Sequence, residues 1–366
     1  MSLFIALLLL TFLIQAVFYC LIFTKLSFYK QPKPSENLAF EPVSVIICAK
    51  DEQENLTKYL ESILTQDYPD FEVIVVDDNS SDNTWELLKN IETKYRQLRI
   101  IKSSTNFNHL QGKKQALASG MEAAKHKVVL LTDADCSPSS NNWLKEMYLV
   151  KGDRKMVLGY APFYSRNNLL SAIVRYENLI TAQQYLSFAL IKHPYMGVGR
   201  NLMYDKSLFS AELINRGLAS GDDDLLVNAK ATSSNTGICI DKDAFMFSHH
   251  PVTIGNWIRQ KRRHYSTGVK YKLQHKILLA TFLGSKCLMY LFLLIGLITL
   301  SNIIVVCAVY FTYLVLLYLV SGSLCNKLKN KDLKPYIPLL DISYIASILI
   351  GLSSTIIPTK SRWKKV

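Results

Sequence analysis

KVVLLTDADC, residues 127 to 136, is the stretch on which the fold turns. An uncharged run from Val128 to Thr132 meets two carboxylates, Asp133 and Asp135, on either side of Ala134. A short apolar run of this kind reads as a buried strand, and the carboxylates mark where the chain leaves the core for solvent. The same design recurs upstream. VSVIICA (Val43 to Ala49) is rich in β-branched residues and leads into the polar KDEQEN, while FEVIVVDDNSSDNT holds a second strand from Phe71 to Val76 and ends in an acidic turn. Leu98 to Lys102 is a short third strand. Between these strands, Asn55 to Gln66 places Leu56, Leu60, Ile63 and Leu64 at helical spacing, and Trp85 to Tyr95 and Gly112 to Ala124 also read as helices. A β-α-β-α-β-α-β order predicts a parallel sheet wrapped by helices.

Ligands of such sheets bind beyond the carboxyl ends of the strands. Three strands end in acids: Asp51 and Glu52, Asp77 and Asp78, Asp133 and Asp135. A single acidic turn is an ordinary solvated loop, whereas three on one edge predict a site. The hard oxygens of Asp133 and Asp135 suit Mg²⁺ or Mn²⁺, bound jointly with substrate phosphates. GKKQAL (Gly112 to Leu117) opens a helix with glycine and two lysines, which puts Lys113 either near those phosphates or on the plain surface. It is too short for a Walker A loop, and no G-x-G-x-x-G follows a strand. In GDDDLLVNA three consecutive aspartates, Asp222 to Asp224, precede an apolar helical run. Crowded carboxylates raise at least one pKa, which suits a base, and acids are also favoured at a helix N-terminus; both readings hold together. WIRQKRRHYSTG (Trp257 to Gly268) is a basic run read as solvated or lipid-facing.

Hydrophobic residues form 49% of the 366, concentrated at the two ends, while the charged 19% lie mainly between Lys25 and Lys276. That length allows about two domains. Residues 2 to 23 carry no charge and are long enough to cross a hydrocarbon layer of about 30 Å. No basic segment precedes them and no small-residue cleavage site follows, so an anchor is expected rather than a signal peptide. Residues 277 to 300 and 303 to 320 predict a membrane hairpin about Ser301 and Asn302. The third run, Ile337 to Pro358, contains Asp341 and crosses, re-enters or lies at the interface. Basic residues on the central-domain side (Lys25, Lys30, Lys33, and Arg259 through Lys276) place that domain in the cytoplasm, and Lys327, Lys329, Lys331 and Lys334 agree. The basic tail at 360 to 365 favours a last segment that does not cross. The expected organisation is an anchor at 1–28, a proline-containing tether at 29–42, a cytoplasmic domain at 43–275 and a membrane region at 276–366, in the inner (plasma) membrane. Net charge is +13, from 42 basic and 29 acidic residues. Much of the excess lies beside membrane segments, where anionic lipid attracts it, so a nucleic-acid partner is not expected. Seven scattered cysteines with no C-x-x-C pair imply neither a zinc site nor a disulfide framework.

Taken in order, residues 43 to 268 resemble the family 2 glycosyltransferases, inverting enzymes of GT-A fold. VSVIICAKDE is similar to the family's first strand and loop, with Lys50 and Asp51 where arginine and asparagine are usual. The resemblance implies nucleotide contacts at Ala49 and Glu52, and a contact to the base from Asp78 in VVDDNSSDNT. It puts Lys113 and Asp133 on the donor and the metal on Asp133 and Asp135. GVGRNLMYDKSLF places Asn201 on the acceptor side, and GDDDL makes Asp223 the general base, with Asp222 as alternate. QKRRH resembles the Q-x-x-R-W motif, so Gln260, Arg263 and His264 fall on the acceptor and diphosphate side, histidine standing for tryptophan. The implied reaction moves one sugar from a UDP-sugar or GDP-sugar to a lipid or lipid-linked acceptor and is non-processive, since a chain-extruding synthase of the family builds its channel from more spans. The rival readings are a processive synthase, a nucleotidyltransferase making nucleotide-sugars, and an inactive membrane assembly subunit.

Overall fold

The computed structural model describes residues 3–32, 39–107, 109–110, 112–214, 221–300 and 302–353. Part of the tether, including Lys33 and Pro34, together with Ser301, the end of the third apolar run and the basic tail at 360–365, lies outside the described residues. In chain order the first elements are α1 (Leu3–Phe28), β1 (Val43–Ala49), α2 (Gln53–Leu64), β2 (Phe71–Asp77), α3 (Thr84–Glu92), β3 (Leu98–Lys102), α4 (Lys113–Ala123) and β4 (Val128–Asp133). They continue with β5 (Cys136–Pro138), α5 (Trp143–Lys151), β6 (Met156–Gly159), α6 (Leu169–Leu190), β7 (Leu202–Asp205), α7 (Asp224–Lys230), β8 (Thr236–Cys239) and β9 (Met246–Ser248). The last four helices are α8 (Ile254–Gly268), α9 (Leu273–Thr299), α10 (Ile303–Lys327) and α11 (Ile337–Ser353).

The chain forms two compact units that interleave in sequence. The first contains Lys30–Tyr164 and Lys192–Pro251 and is built on a seven-stranded sheet of order β3-β2-β1-β4-β7-β6-β8. Strands β3, β2, β1 and β4 are parallel, as the alternating pattern predicts. Beyond them the sheet is mixed, because β7 runs antiparallel to both β4 and β6. All seven residues of β1 are buried, which explains its unbroken apolar sequence: with both faces covered, alternation would put polar groups in the core. Val45, Ile47, Val73, Val75, Val128 and Leu130 join Leu56, Leu60, Ile63 and Leu64 of α2 in one cluster, and each such side chain fully buried contributes about 1.5–3 kcal/mol. On the other face α4 lies so close that a Cβ on Gly120 would stand 2.7 Å from Cγ2 of Ile46. Register brings the strand ends level: Ala49 pairs with Asp77, and Cys48 with Asp133.

The second unit comprises Met1–Tyr29, Ser165–Ile191 and Val252–Ile357, so segments that a linear division places in a 43–275 domain pack with the apolar helices instead. Among the described residues, four of its helices are long and apolar enough to cross a membrane: Leu3–Phe28, Leu273–Thr299, Ile303–Lys327 and Lys331–Gly351, with mean hydropathies of 2.6, 2.0, 2.7 and 1.4. The hairpin between α9 and α10 turns through Leu300 and Asn302, whose φ angles of 50° and 51° are left-handed. Lys327 donates to the carbonyls of Leu26, Ser27 and Tyr29 and so satisfies the C-terminus of α1, where a cation complements the helix dipole. Gln15 donates to Ser285 Oγ at 2.8 Å, and Lys286 meets Asp341 at 2.5 Å with both side chains fully buried.

Candidate active site

The loops after β1 and β2 are stitched together before they can meet any ligand. Asp51, at φ 52°, accepts from the Ser81 amide at 2.6 Å and from its hydroxyl at 2.9 Å, and this bonding holds its carboxyl below the usual aspartate range. Asp77 accepts from the Ser80 hydroxyl, the Glu52 amide donates to Thr84 Oγ1 at 2.9 Å, and the Gln53 amide donates to Asp82 at 3.2 Å. Two of the six strand-end acids therefore shape the loops. Deeper in the sheet edge, Asp78 is buried: its Oδ1 accepts from Ser103 at 2.8 Å, its Oδ2 pairs with Lys50 at 3.3 Å, and its amide donates to the carbonyl of Ala49 at 2.8 Å. Glu52 accepts from the Asn55 side chain.

Lys113, the first residue of α4, joins the two other acidic motifs. Its Nζ lies 2.7 Å from Oδ1 of Asp133 and 3.5 Å from Oδ2 of Asp222. Burial pulls its pKa down, but Asp133, Asp222 and Asp223 outweigh this and hold the ammonium well above the ordinary lysine value. The carboxylate ending β4 and the aspartate run at the start of α7, 89 to 91 residues apart in sequence, thus share one cation. Gly112, at φ 59°, supplies the turn that starts α4 at this point.

Asp223 caps α7 by accepting from the Asp224 amide at 2.9 Å through Oδ1, while Oδ2 accepts from the Gly199 amide. Burial, then repulsion from Asp224 and Asp222, pushes its carboxyl well above the usual range. Because β7 is antiparallel to β4, with Leu131 opposite Leu202, the residues leading into β7 lie at the carboxyl end of β4, and Gly199 is among them. A Cβ there would stand 2.9 Å from Oδ2 of Asp223, so a side chain at this position must displace that carboxylate. Gly199→Ala is expected to move this carboxylate and lower kcat at least about tenfold, the effect of roughly 1.4 kcal/mol in the barrier, with the melting temperature little changed. Equal kcat in the two proteins would remove Gly199 from the account.

Asp133, Asp135 and Cys136 present ligand atoms within 4.8 Å of one another. The Cys136 thiol is buried, and burial with the adjacent Asp135 and Asp133 charges keeps its pKa well above normal, so it stays neutral and soft. Asp135 is pushed up to about 6, first by burial and then by Asp133. Two crowded carboxylates of this kind fit a hard divalent cation, which would relieve their repulsion.

The remaining expected residues fall differently. Asn201 is fully buried, and its amide is engaged with Trp143 Nε1 at 2.9 Å and with the carbonyls of Tyr160 and Ala244 at 2.9 and 2.8 Å. It acts on the scaffold, fixing the segment that carries Gly199. Gln260, Arg263 and His264 lie on α8, in the helical unit, where Trp257 and Lys261 of the same helix each reach Glu177 of α6 at 2.8 Å. Arg200 was not singled out from the sequence. Its guanidinium lies 4.4 Å over the Phe163 ring and donates to Ser248, which β9 pairs with Cys136, and it pulls the Asp135 pKa down against burial. Its adjacency to Gly199 in GVGRN was the available signal.

A parallel strand array with a nucleotide-type edge, carboxylates after β4 and an acidic helix start facing them through a lysine, is the layout of a GT-A sugar-transfer domain. Residues 44–212 match the sequence pattern of glycosyl transferase family 2, so this segment is a domain of that family. The chain is 29% identical over 181 residues to Glycosyltransferase AglE of Haloferax volcanii, covering 48% of this chain and 58% of that protein. It is 32% identical over 101 residues to a poly-β-1,6-N-acetyl-D-glucosamine synthase of Staphylococcus epidermidis, covering 28% of this chain and 23% of the other. The matches therefore span less than two thirds of either relative. Among solved structures, a mannosyltransferase from Pyrobaculum calidifontis in complex with GDP-Man and Mn²⁺ has the same fold, at TM-score 0.59 and 17% identity over 96% of this chain and 99% of that one.

Proposed function

We propose that the chain transfers one sugar from a nucleoside-diphosphate sugar to a lipid-linked acceptor, inverting the anomeric centre, with the α/β unit on the cytoplasmic side of the membrane. The observation that carries this is the Lys113 bridge, which sets the β4 carboxylates beside the aspartates before α7. Ala49, Glu52 and Asp78 would receive the nucleotide, and Gln260, Arg263 and His264 the acceptor side. Asp223 takes the proton of the acceptor hydroxyl, whose oxygen bonds to the anomeric carbon as the bond to the diphosphate breaks. The nucleoside diphosphate leaves with that electron pair, close to the Lys113 ammonium. A divalent cation held by Asp133 and Asp135 would supply charge neutralisation for the leaving group, a reading supported by the Mn²⁺ in the GDP-Man complex of the Pyrobaculum calidifontis mannosyltransferase of like fold. Four helices able to cross a membrane favour an acceptor that is itself lipid-borne.

Incubating the full-length protein in detergent with UDP-sugars, GDP-sugars and a membrane-lipid extract tests the reading. A lipid product carrying one added sugar is expected. A ladder of products would favour polymer synthesis, as the name of the staphylococcal relative describes, and release of pyrophosphate from a nucleoside triphosphate would favour a nucleotidyltransferase. Removing divalent cations, or making Asp135→Ala, is expected to weaken nucleoside-diphosphate binding at least about tenfold, near 1.4 kcal/mol. Calorimetric titration with and without chelator checks this, and identical affinities would exclude the metal.

A further inference from the structure

Arg200 is a cation of the α/β unit to which the proposed reaction gives no part. Its neighbours in the chain are committed: the Gly199 amide donates to Asp223, and the Asn201 side chain engages Trp143, Tyr160 and Ala244. The Arg200 backbone is thus anchored on both sides, and its side chain is held as well. The guanidinium carbon lies 4.4 Å from the centre of the Phe163 ring, a cation–π distance, and Nη1 donates to Ser248 Oγ. Both supports belong to one framework. Ser248 pairs with Cys136 across β5 and β9, its amide donates to the Pro162 carbonyl at 3.1 Å, and its carbonyl accepts from the Tyr164 amide at 2.9 Å. His250 packs edge-on to Phe163, with ring centres 6.1 Å apart. The strand that begins at Cys136, next in the chain to Asp135, therefore also fixes the groups that aim Arg200.

Fixing a long flexible side chain costs conformational entropy, yet Arg200 is stacked and hydrogen-bonded while still partly exposed. Its charge acts where Lys113 does not. Burial raises the pKa values of Asp135 and Cys136, and Arg200 is the cation that opposes it at both, whereas Lys113 contacts Asp133 and Asp222. The β4 carboxylates are therefore flanked by two cations rather than sharing one. One cation suffices for a single phosphate; a pair matches the extended anion of a diphosphate. A guanidinium suits this anion, since its planar fork meets two phosphate oxygens at once. The adjacent Gly199 holds Asp223, which places Arg200 toward the reacting end of the donor, where the second phosphate is bonded to the sugar. Resting on the nucleotide-sugar reading above, we infer that Arg200 grips the sugar-side phosphate of the donor's diphosphate, with Phe163 as the residue that positions the guanidinium.

Titration calorimetry on the full-length protein in detergent, with Mn²⁺ present and UDP, GDP, UMP and GMP as probes, tests this. For whichever diphosphate the protein binds, Arg200→Gln is expected to weaken the diphosphate at least about tenfold and the matching monophosphate less than about twofold. Phe163→Leu should weaken the diphosphate about threefold, and this loss should vanish when residue 200 is already glutamine. Arg96→Gln, the same charge change on an exposed turn before β3, should alter neither affinity. Should Arg200→Gln lower the melting temperature, Arg200→Lys replaces it, with a smaller loss confined in the same way to the diphosphate, because the charge stays and the planar fork goes. Equal losses of monophosphate and diphosphate, an equal loss in Arg96→Gln, or diphosphate binding unchanged in the Arg200 variants would overturn the assignment and leave the nucleotide-sugar reading standing. Wild-type protein that binds neither UDP nor GDP would overturn that reading and the assignment with it.

Discussion

Replacing Asp223 with asparagine is expected to slow sugar transfer about 10²–10⁴-fold, the usual contribution of a general base, while nucleoside-diphosphate binding is retained. The carboxylate is held from two sides, by the Gly199 and Asp224 amides, so its direction is fixed before any acceptor arrives. Burial and its acidic neighbours hold its pKa well above the aspartate norm, which makes it a stronger base than a solvated carboxylate. The sign of the pH dependence follows. Only the deprotonated form accepts a proton, so kcat should rise with pH through this elevated pKa. Stability should move the other way: the folded state binds the proton more tightly than the unfolded state, so the contribution is full below the unfolded value near 4 and is lost as pH rises through the folded one. In Asp223→Asn both dependences should flatten. A rate–pH profile unchanged by the substitution, or a larger loss in Asp222→Asn, would move the base away from Asp223.

Sequence patterns reached the parallel half of the sheet because β1, β2 and β4 are covered on both faces, and nothing but an apolar run satisfies that environment. The antiparallel half was less legible. Strands β6 and β7 are four residues each, and their direction is set by the pairing of β7 with β4 and with β6 rather than by any local period. For the same reason GVGRN could be recognised as a motif without revealing that Gly199 touches Asp223. Asn201 drew attention by its place in that motif, but its amide is engaged by a tryptophan and two carbonyls that come together only in three dimensions. The acidic strand ends were visible as charges; which of them bind loop amides and which are left for chemistry depended on side-chain geometry. Asp341 stood out within its apolar run, whereas Gln15 and Lys286 did not draw attention, because the partners Ser285 and Asp341 lie 270 and 55 residues away in sequence.

Lys286 and Asp341 account for the largest stability effect expected in the helical unit. Asp341 accepts from Lys286 at 2.5 Å and Tyr176 at 3.0 Å through Oδ1, and from Tyr290 at 2.8 Å and Tyr313 at 2.7 Å through Oδ2. The Lys286 ammonium also lies 5.5 to 5.8 Å from the ring centres of Tyr344, Tyr313, Tyr19 and Phe282. Charges in an apolar segment are tolerated when paired and hydrogen-bonded, and this pair links α9 to α11, the helix whose own mean hydropathy is the lowest of the four. Lys286→Met or Asp341→Leu alone leaves one buried charge without its partner and is expected to cost about 3–5 kcal/mol. The double variant removes both charges and should be more stable than either single one, although the tyrosine hydroxyls that faced Asp341 then lose an acceptor and full recovery is not expected. Unfolding of the detergent-solubilised protein, compared across the four members of this cycle, measures the coupling. If the two single losses simply add in the double variant, the pair does not hold α11 in place, and the helix must be retained by its apolar contacts alone.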